Sequence, residues 1–263
     1  SIAKLFIGGV LPGIVLAGLF MGYTIVWALL NPDKVPPPDQ NLTFAQKVYQ
    51  SRHLIPVVSL IIAVLGSIYT GIATATEAAA LGVVGSLIIA AVQGDLTWKT
   101  FIESLMGGTR LYCMIALILF GAAFLTLSMG YIGLPRHLAE WIISLHLSPL
   151  ALIGVLTVFF IVLGCFLDGI SMVVLTMGVL LPTIEAMQMD LIWFGIFIVL
   201  VVEMAQITPP VGFNLFVLQG MTKKDIAFIA KHAFPLFVMM MVMVLLMYFF
   251  PEIVNWLPRH MEG

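Results

Sequence analysis

Charged side chains are scarce in this sequence of 263 residues: they make up 9% of the chain, whereas 62% of the residues are hydrophobic. Soluble globular proteins carry charge on about a quarter of their residues. The composition therefore excludes an ordinary soluble domain, and contact with lipid accounts for the excess of apolar side chains. A net charge of −2 gives no indication of nucleic-acid binding.

Cysteines and catalytic motifs are scarce as well. The two cysteines lie inside apolar runs, which argues against a disulfide framework. The sequence contains no H-E-x-x-H, G-x-S-x-G or Walker motif, and its five histidines lie at predicted membrane interfaces. We therefore expect neither an enzyme nor an organic cofactor.

Long apolar runs predict an all-α integral membrane protein, since about 20 apolar residues are needed to cross a bilayer. A break at residues 69–77 divides one run of about forty residues into two helices, by the same length criterion. The predicted units are a first span at 1–30, a polar linker at 31–53, and scaffold-type spans with an amphipathic arm at 54–108. A fourth unit at 109–257 holds a span, an interfacial helix near 135–147, the segments 149–187 and 191–220, and a final span.

Segment 149–187 has two short apolar arms on either side of the sequence Gly164-Cys165-Phe166-Leu167-Asp168-Gly169. Each arm has only about 15–17 residues, which is marginal for a full crossing. We predict a re-entrant helical hairpin with its tip at this sequence. The alternative is a pair of full spans joined by a buried tip.

Segment 191–220 is interrupted by the sequence Thr208-Pro209-Pro210-Val211-Gly212. Two consecutive prolines remove two amide donors and clash with the preceding turn, so the helix must unwind near Thr208. Irregular backbone at membrane depth persists only where it is buried in protein or lines a watery cavity. This segment predicts a proline-broken transmembrane helix.

The positions of lysine and arginine predict the orientation of the chain. The loop 221–232 and the linker 31–53 each carry three basic residues, which places both in the cytoplasm. The spans at 1–30 and 234–250 each begin near a proline and run in opposite directions in this topology. They form a faint inverted repeat, in which the first copy keeps only its last helix.

Polar groups at membrane depth gather at the two breaks. Carbonyl, hydroxyl and carboxylate oxygens suit Na⁺, and the N-termini of half-helices suit an anionic substrate. The alternative is that the prolines kink a packed helix and Asp168 caps a helix start. Glu203 and Gln206 are further polar residues at this depth. The predicted Na⁺ ligands are Gly164, Asp168, Thr208 and Gly212, and the predicted substrate-proximal residues are Gly169, Pro209, Pro210 and Asn214.

A third polar run, Thr74-Ala75-Thr76-Glu77, precedes three alanines. Thr74 or Thr76 can cap a helix that starts here, with Glu77 in the favourable first turn. We favour this structural role over ligation of a cation by these residues.

Three of these motifs resemble the large membrane subunit of tripartite ATP-independent periplasmic (TRAP) transporters. The run Tyr69–Gly82 resembles the family sequence G-x-x-T-P-T-E-A-A-A-x-G, with Ala75 in place of proline. Gly164–Asp168, followed by Pro182, resembles the second re-entrant hairpin of the family, and Thr208–Gly212 resembles its second unwound helix. The motifs occur in order and at matching spacing over nearly the whole chain.

The resemblance implies half of an elevator-type carrier of the ion-transporter superfamily, in the bacterial inner membrane. Such a carrier imports an organic acid from a periplasmic binding protein and is driven by Na⁺. The implied partners are that binding protein, a small four-helix membrane subunit and the first-repeat half of the same subunit. The alternatives are a related Na⁺/dicarboxylate symporter that needs no binding protein, a membrane scaffold, and an intramembrane hydrolase that uses Asp168 with Glu77 or Glu203.

Overall fold

A computed structural model describes residues 1–35, 51–133, 147–164, 166–209 and 212–260, with scattered positions at 43–49 and 137–145. All regular elements in these residues are helical. Short 3₁₀ turns occur at Pro32–Lys34 and Ser51–Leu54. The α-helices are α1 (Ile2–Gly8), α2 (Val10–Leu30), α3 (Ile55–Tyr69), α4 (Ala75–Gln93), α5 (Trp98–Tyr131), α6 (Pro149–Gly164), α7 (Gly169–Ala186), α8 (Leu191–Gln206), α9 (Phe213–Thr222), α10 (Ile226–Phe249) and α11 (Glu252–Arg259).

Five helical runs in this part of the chain are long and apolar enough to cross a membrane. Few of their side chains are buried inside the protein, as expected of surfaces that face lipid or other protein. The all-α integral membrane class is therefore confirmed. The five runs are Ile2–Leu30, Ala75–Gln93, Trp98–Met129, Gly169–Ala186 and Ile226–Phe249.

The break at 69–77 separates two helices, as predicted, and the structure packs them against each other in antiparallel fashion. Gly82 of α4 lies against Val64 of α3, and Gly85, one turn later, lies against Leu60, one turn earlier. The absence of a side chain at Gly85 lets the two helices approach closely there.

Helix α5 differs from the prediction of an arm followed by a separate span. It runs without interruption from Trp98 to Tyr131, so position 108, where we separated the two units, lies inside a helix. The segment contains no proline, and Gly107 and Gly108 each cost a helix only about 1 kcal/mol. A change from an amphipathic to an apolar sequence pattern therefore does not by itself end a helix.

Both outer spans differ in detail from the prediction. The first is divided at Gly9 into α1 and α2. The last begins at Ile226 rather than near Phe234, and it keeps Pro235 within the helix. A short helix, α11, follows it and buries Val254 and Asn255 on one face.

Helix α8 is the centre of the core. It packs against both arms of the predicted hairpin and against α1, α10 and α11. The indole nitrogen of Trp193 donates to the Met247 carbonyl at 2.9 Å, which joins the start of α8 to the end of α10. The indole ring also stacks on Phe197 with a centroid separation of 5.6 Å. The core thus fixes the helix that carries the proline break.

Several predictions fall at least partly on positions outside the described residues. They are the interfacial helix near 135–147, about half of the linker 31–53, and residues Cys165, Pro210 and Val211. The assignment of loops to the two sides of the membrane stays a prediction.

Candidate functional site

The two predicted breaks meet in the folded chain. A Cβ atom on Gly164, at the end of α6, would lie 3.1 Å from both the Cα and the carbonyl carbon of Ala205. A Cβ atom on Gly169, at the start of α7, would lie 3.0 Å from Val202 Cγ1 and would overlap the Gln206 amide. Glycines at both ends of the tip therefore let it rest on the last turn of α8, directly before the prolines.

Asp168 caps α7. One of its carboxylate oxygens accepts from the amides of Ile170 at 3.2 Å and Ser171 at 3.3 Å. An N-cap of this kind satisfies amides that have no partner within the helix. The structure thus confirms the capping role. The second carboxylate oxygen of Asp168 is a further hydrogen-bond acceptor beside the start of α7.

The helix unwinds at Ile207 and Thr208, as predicted. The amides of these residues donate to the carbonyls of Met204 at 3.3 Å and Ala205 at 3.2 Å, three residues back. The Thr208 hydroxyl also donates to the Met204 carbonyl, at 2.7 Å. The hydroxyl oxygen keeps its lone pairs, so it can still act as a ligand.

The two prolines remove the amide donors that the Gln206 carbonyl would use within a continuous helix. In a continuing helix the Gln206 carbonyl would accept from residue 209 or 210, and neither proline has an N–H group. Gly212 has a positive φ of 41°, and a Cβ atom there would lie 3.1 Å from the Gln206 oxygen and 2.9 Å from the Thr208 oxygen. Two backbone oxygens therefore converge on Gly212, where only glycine fits.

A cavity of about 820 Å³ opens beside the tip, between α5, α7 and α8. Its polar lining comes from Asp168, Glu203 and Gln206, and none of the described residues that line it is basic. The Glu203 carboxylate also accepts from the side-chain nitrogen of Asn214 at 3.4 Å, which links the helices on either side of the break. The cavity is thus a site of negative charge.

Glu203 and Gln206 were missing from the predicted ligand set, although both had been noted as polar residues at membrane depth. Their position beside the break is the feature of the sequence that points to them, since Gln206 lies three residues before the first proline and Glu203 one turn earlier. Of the predicted substrate-proximal residues, Gly169, Pro209 and Asn214 flank the two breaks. Pro210 is outside the described residues.

The run at 74–77 has the predicted structural role. Thr74 caps α4: its hydroxyl accepts from the Glu77 amide at 3.3 Å, and the Glu77 carboxylate accepts from the Thr74 amide at 2.8 Å. This is a reciprocal capping box. Thr76 is exposed in the first turn. Helix α4 packs chiefly on α3, so this run belongs to the α3–α4 pair rather than to the predicted hairpin tip.

Comparison with known proteins identifies the family. The family model for the DctM component of tripartite ATP-independent periplasmic transporters matches residues 1–253. The chain belongs to this family. Membership in the DctM family, together with the five candidate spans, confirms a multi-pass protein of the inner membrane.

Three curated relatives show the range of this family. The C4-dicarboxylate TRAP transporter large permease protein DctM of Rhodobacter capsulatus is 30% identical over 98% of this chain and 58% of its own length. The isethionate TRAP transporter permease protein DctMQ of Oleidesulfovibrio alaskensis is 30% identical over 96% of this chain and 40% of its own. The ectoine/5-hydroxyectoine permease UehC of Ruegeria pomeroyi is 26% identical over 98% and 60%.

The chain therefore spans about half the length of these curated relatives, between 40% and 60%. All three are named as transporter permeases and none as an enzyme, which agrees with the prediction of a carrier rather than a hydrolase. Their names give three different substrates, so family membership alone leaves the substrate open.

Proposed function

We propose that this chain is the membrane-embedded part of a Na⁺-driven secondary transporter, which imports an organic acid delivered by a periplasmic binding protein. It acts together with a small four-helix membrane subunit and with the first-repeat half of the same permease. Transport follows an elevator-type movement of the unit that holds the hairpin and the broken helix. The chain supplies one of two pseudo-symmetric cation half-sites.

The contact between the two breaks carries this proposal. Gly164 and Gly169 bring the hairpin tip against the residues that precede Thr208, and the double proline frees the Gln206 carbonyl at the same place. Carbonyl, hydroxyl and carboxylate oxygens are the hard ligands that small cations prefer. Proline holds the break open before the ion arrives, which lowers the ordering cost of binding.

The charge of the neighbouring cavity supports a cation as the coupling ion. Asp168 and Glu203 both line it, without a basic residue in the described lining. An anionic substrate that approaches two carboxylates in a medium of low dielectric is repelled unless a cation neutralises them. Binding of Na⁺ at the breaks therefore provides a physical reason for coupling between ion and organic acid.

The variant Asp168→Asn tests the role of the carboxylate. Asparagine caps helices as well as aspartate does, so the start of α7 is preserved while the charge is lost. We expect the Na⁺ concentration for half-maximal uptake to rise roughly tenfold, the equivalent of about 1.4 kcal/mol. Uptake is measured with the complete transporter in proteoliposomes, in the presence of its binding protein.

A matched control is Asp225→Asn, because Asp225 caps α10 in the same way through the Ala227 amide at 3.1 Å. This control should keep the wild-type Na⁺ dependence. An unchanged value for Asp168→Asn would show that Asp168 is only a cap. Equal uptake in K⁺ and Na⁺ would contradict the proposed coupling ion, and uptake without the binding protein would favour the related symporter.

A further inference from the structure

A second polar cavity lies away from the two breaks, where α1, α8 and α11 meet. It has a volume of about 150 Å³. This is several times the share of about 30 Å³ that one water molecule occupies in the liquid. The residues that line it are Lys4, Asp190, Ile192, Asn255, Pro258 and Arg259.

Both signs of charge line this cavity. Asp190 caps α8, with one oxygen accepting from the amides of Ile192 at 2.9 Å and Trp193 at 3.0 Å. Lys4 forms no ion pair with any residue in the described part of the chain. Arg259 contacts Glu252 on the exposed side of α11. The lining of the cavity therefore combines one carboxylate with two cationic side chains.

Asn255 contributes a buried acceptor that has no donor. Its side-chain nitrogen donates to the second oxygen of Asp190 at 3.1 Å, which fixes the orientation of the amide. Its side-chain oxygen is buried and, among the described residues, has no hydrogen-bond partner. Such an orphaned group costs about 1–3 kcal/mol. Asn255 is one of the residues that line the cavity, and a ligand that carries an N–H or O–H donor is the partner that this oxygen lacks.

The cavity lies at the level expected for lipid headgroups. Helix α8 begins beside the end of α10, as the bond from Trp193 to the Met247 carbonyl shows. Helix α11 then runs as an amphipathic segment with Asn255 on its buried face and Trp256 half exposed. An exposed tryptophan beside the end of an apolar span is typical of a membrane–water interface.

We propose that this cavity binds the phosphoethanolamine headgroup of a membrane lipid. The ammonium group donates to the Asp190 carboxylate and to the Asn255 oxygen, and the phosphate is held by Lys4 and Arg259. A zwitterionic headgroup matches both signs of charge and supplies the donor that Asn255 lacks. The bound lipid then ties α1 to α8 and α11 at one end of the core.

Three lipids with the same acyl chains separate the contributions. Phosphatidylcholine keeps the phosphate and the positive charge but has no N–H donor, and phosphatidylglycerol keeps the phosphate without an ammonium group. Binding to the delipidated, complete permease is measured by native mass spectrometry. We expect phosphatidylethanolamine to bind about tenfold more tightly than either, the equivalent of one charge-assisted hydrogen bond.

Two variants assign the two ends of the headgroup. Asp190→Asn keeps the cap of α8 but loses the charge. The ratio of the affinity for phosphatidylethanolamine to the affinity for phosphatidylcholine should therefore fall close to one. Lys4→Gln should weaken phosphatidylethanolamine and phosphatidylcholine by the same factor. Lys99→Gln, at an exposed lysine paired only with Glu103 in the described part of the chain, is the control and should change nothing.

Equal affinity for the three lipids in the wild-type permease would overturn the proposal, and this comparison needs no variant that must fold. A preserved ethanolamine preference in Asp190→Asn would overturn the assignment of the ammonium site. Soluble O-phosphoethanolamine that binds as tightly as the lipid would contradict a lipid site and indicate a soluble zwitterion instead. None of these results bears on the Na⁺ site.

Discussion

The Gly164→Val permease should unfold at a much lower temperature than the wild type and should lose uptake. Even the Cβ atom of an alanine would lie 3.1 Å from two backbone atoms of Ala205, and closer still to its Cβ. Backbone cannot rotate away as a long side chain can, so α6 and α8 must separate. Overpacking in a well-packed interior costs about 1–3 kcal/mol, and the loss of the tip contact adds to this cost.

Gly154→Val is the matched control for this change. Gly154 lies in the same helix, and a Cβ atom there would meet nothing within 4 Å. Both variants place a β-branched residue in α6, so the difference between them reports the contact with Ala205 rather than helix propensity. Thermal unfolding of the purified permease and uptake in proteoliposomes are the two measurements. Equal behaviour of the two variants would contradict the close approach of Gly164 to Ala205 of α8.

The Gly212→Ala permease should lose most of its response to Na⁺. Its φ of 41° is unfavourable for any residue with a Cβ atom, at a cost of about 1 kcal/mol. The new methyl group would also lie 2.9 Å from the Thr208 carbonyl oxygen and 3.1 Å from that of Gln206. These two oxygens must therefore move, and the Gln206 oxygen is the backbone ligand that we propose for Na⁺.

Two readouts separate strain from ligand loss in Gly212→Ala. Strain alone lowers the unfolding temperature in Na⁺ and in K⁺ equally. Loss of the Gln206 ligand also removes the additional stability that Na⁺ gives, because a ligand stabilises the folded state by an amount that grows with its affinity and concentration. Gly220→Ala, in α9 with nothing within 4 Å of its Cβ position, should retain the Na⁺ effect. A Gly212→Ala permease with a wild-type Na⁺ response would show that the Gln206 carbonyl is not a ligand.

The breaks in the helices were predictable because their cause is local. Two consecutive prolines cannot continue a helix, whatever surrounds them. The helix accordingly ends at Gln206, just before Thr208, where the sequence predicts the break. The capping box at Thr74 and Glu77 is equally local, since its partners are three residues apart. Such features depend on residues that are neighbours in the chain, so a single sequence is sufficient to predict them.

Other features depend on residues that are distant in the chain. The contact of Gly164 with Ala205 and the bond between Asp190 and Asn255 join residues 41 and 65 positions apart. The hydrophobic periodicity of the sequence does not reveal such pairs, because each partner has an ordinary local role in its own helix. The continuity of α5 was missed for a different reason: its hydrophobic pattern changes near Thr109, although the segment contains no proline that would end the helix.

The Na⁺ dependence of uptake in Thr208→Ala tests the central claim most directly, because Thr208 lies at the proposed ion site and its hydroxyl makes only a local bond in the described chain. Thr176→Ala is the control, since the Thr176 hydroxyl makes the same kind of bond to the Met172 carbonyl, at 2.8 Å, away from the break. Thr208→Ser keeps the hydroxyl and should behave as the wild type.

The Na⁺ concentration for half-maximal uptake should rise roughly tenfold in Thr208→Ala, as for one lost charge-assisted contact, and stay unchanged in Thr176→Ala. The same value in these two variants would contradict a Na⁺ site at the meeting point of the hairpin and the broken helix.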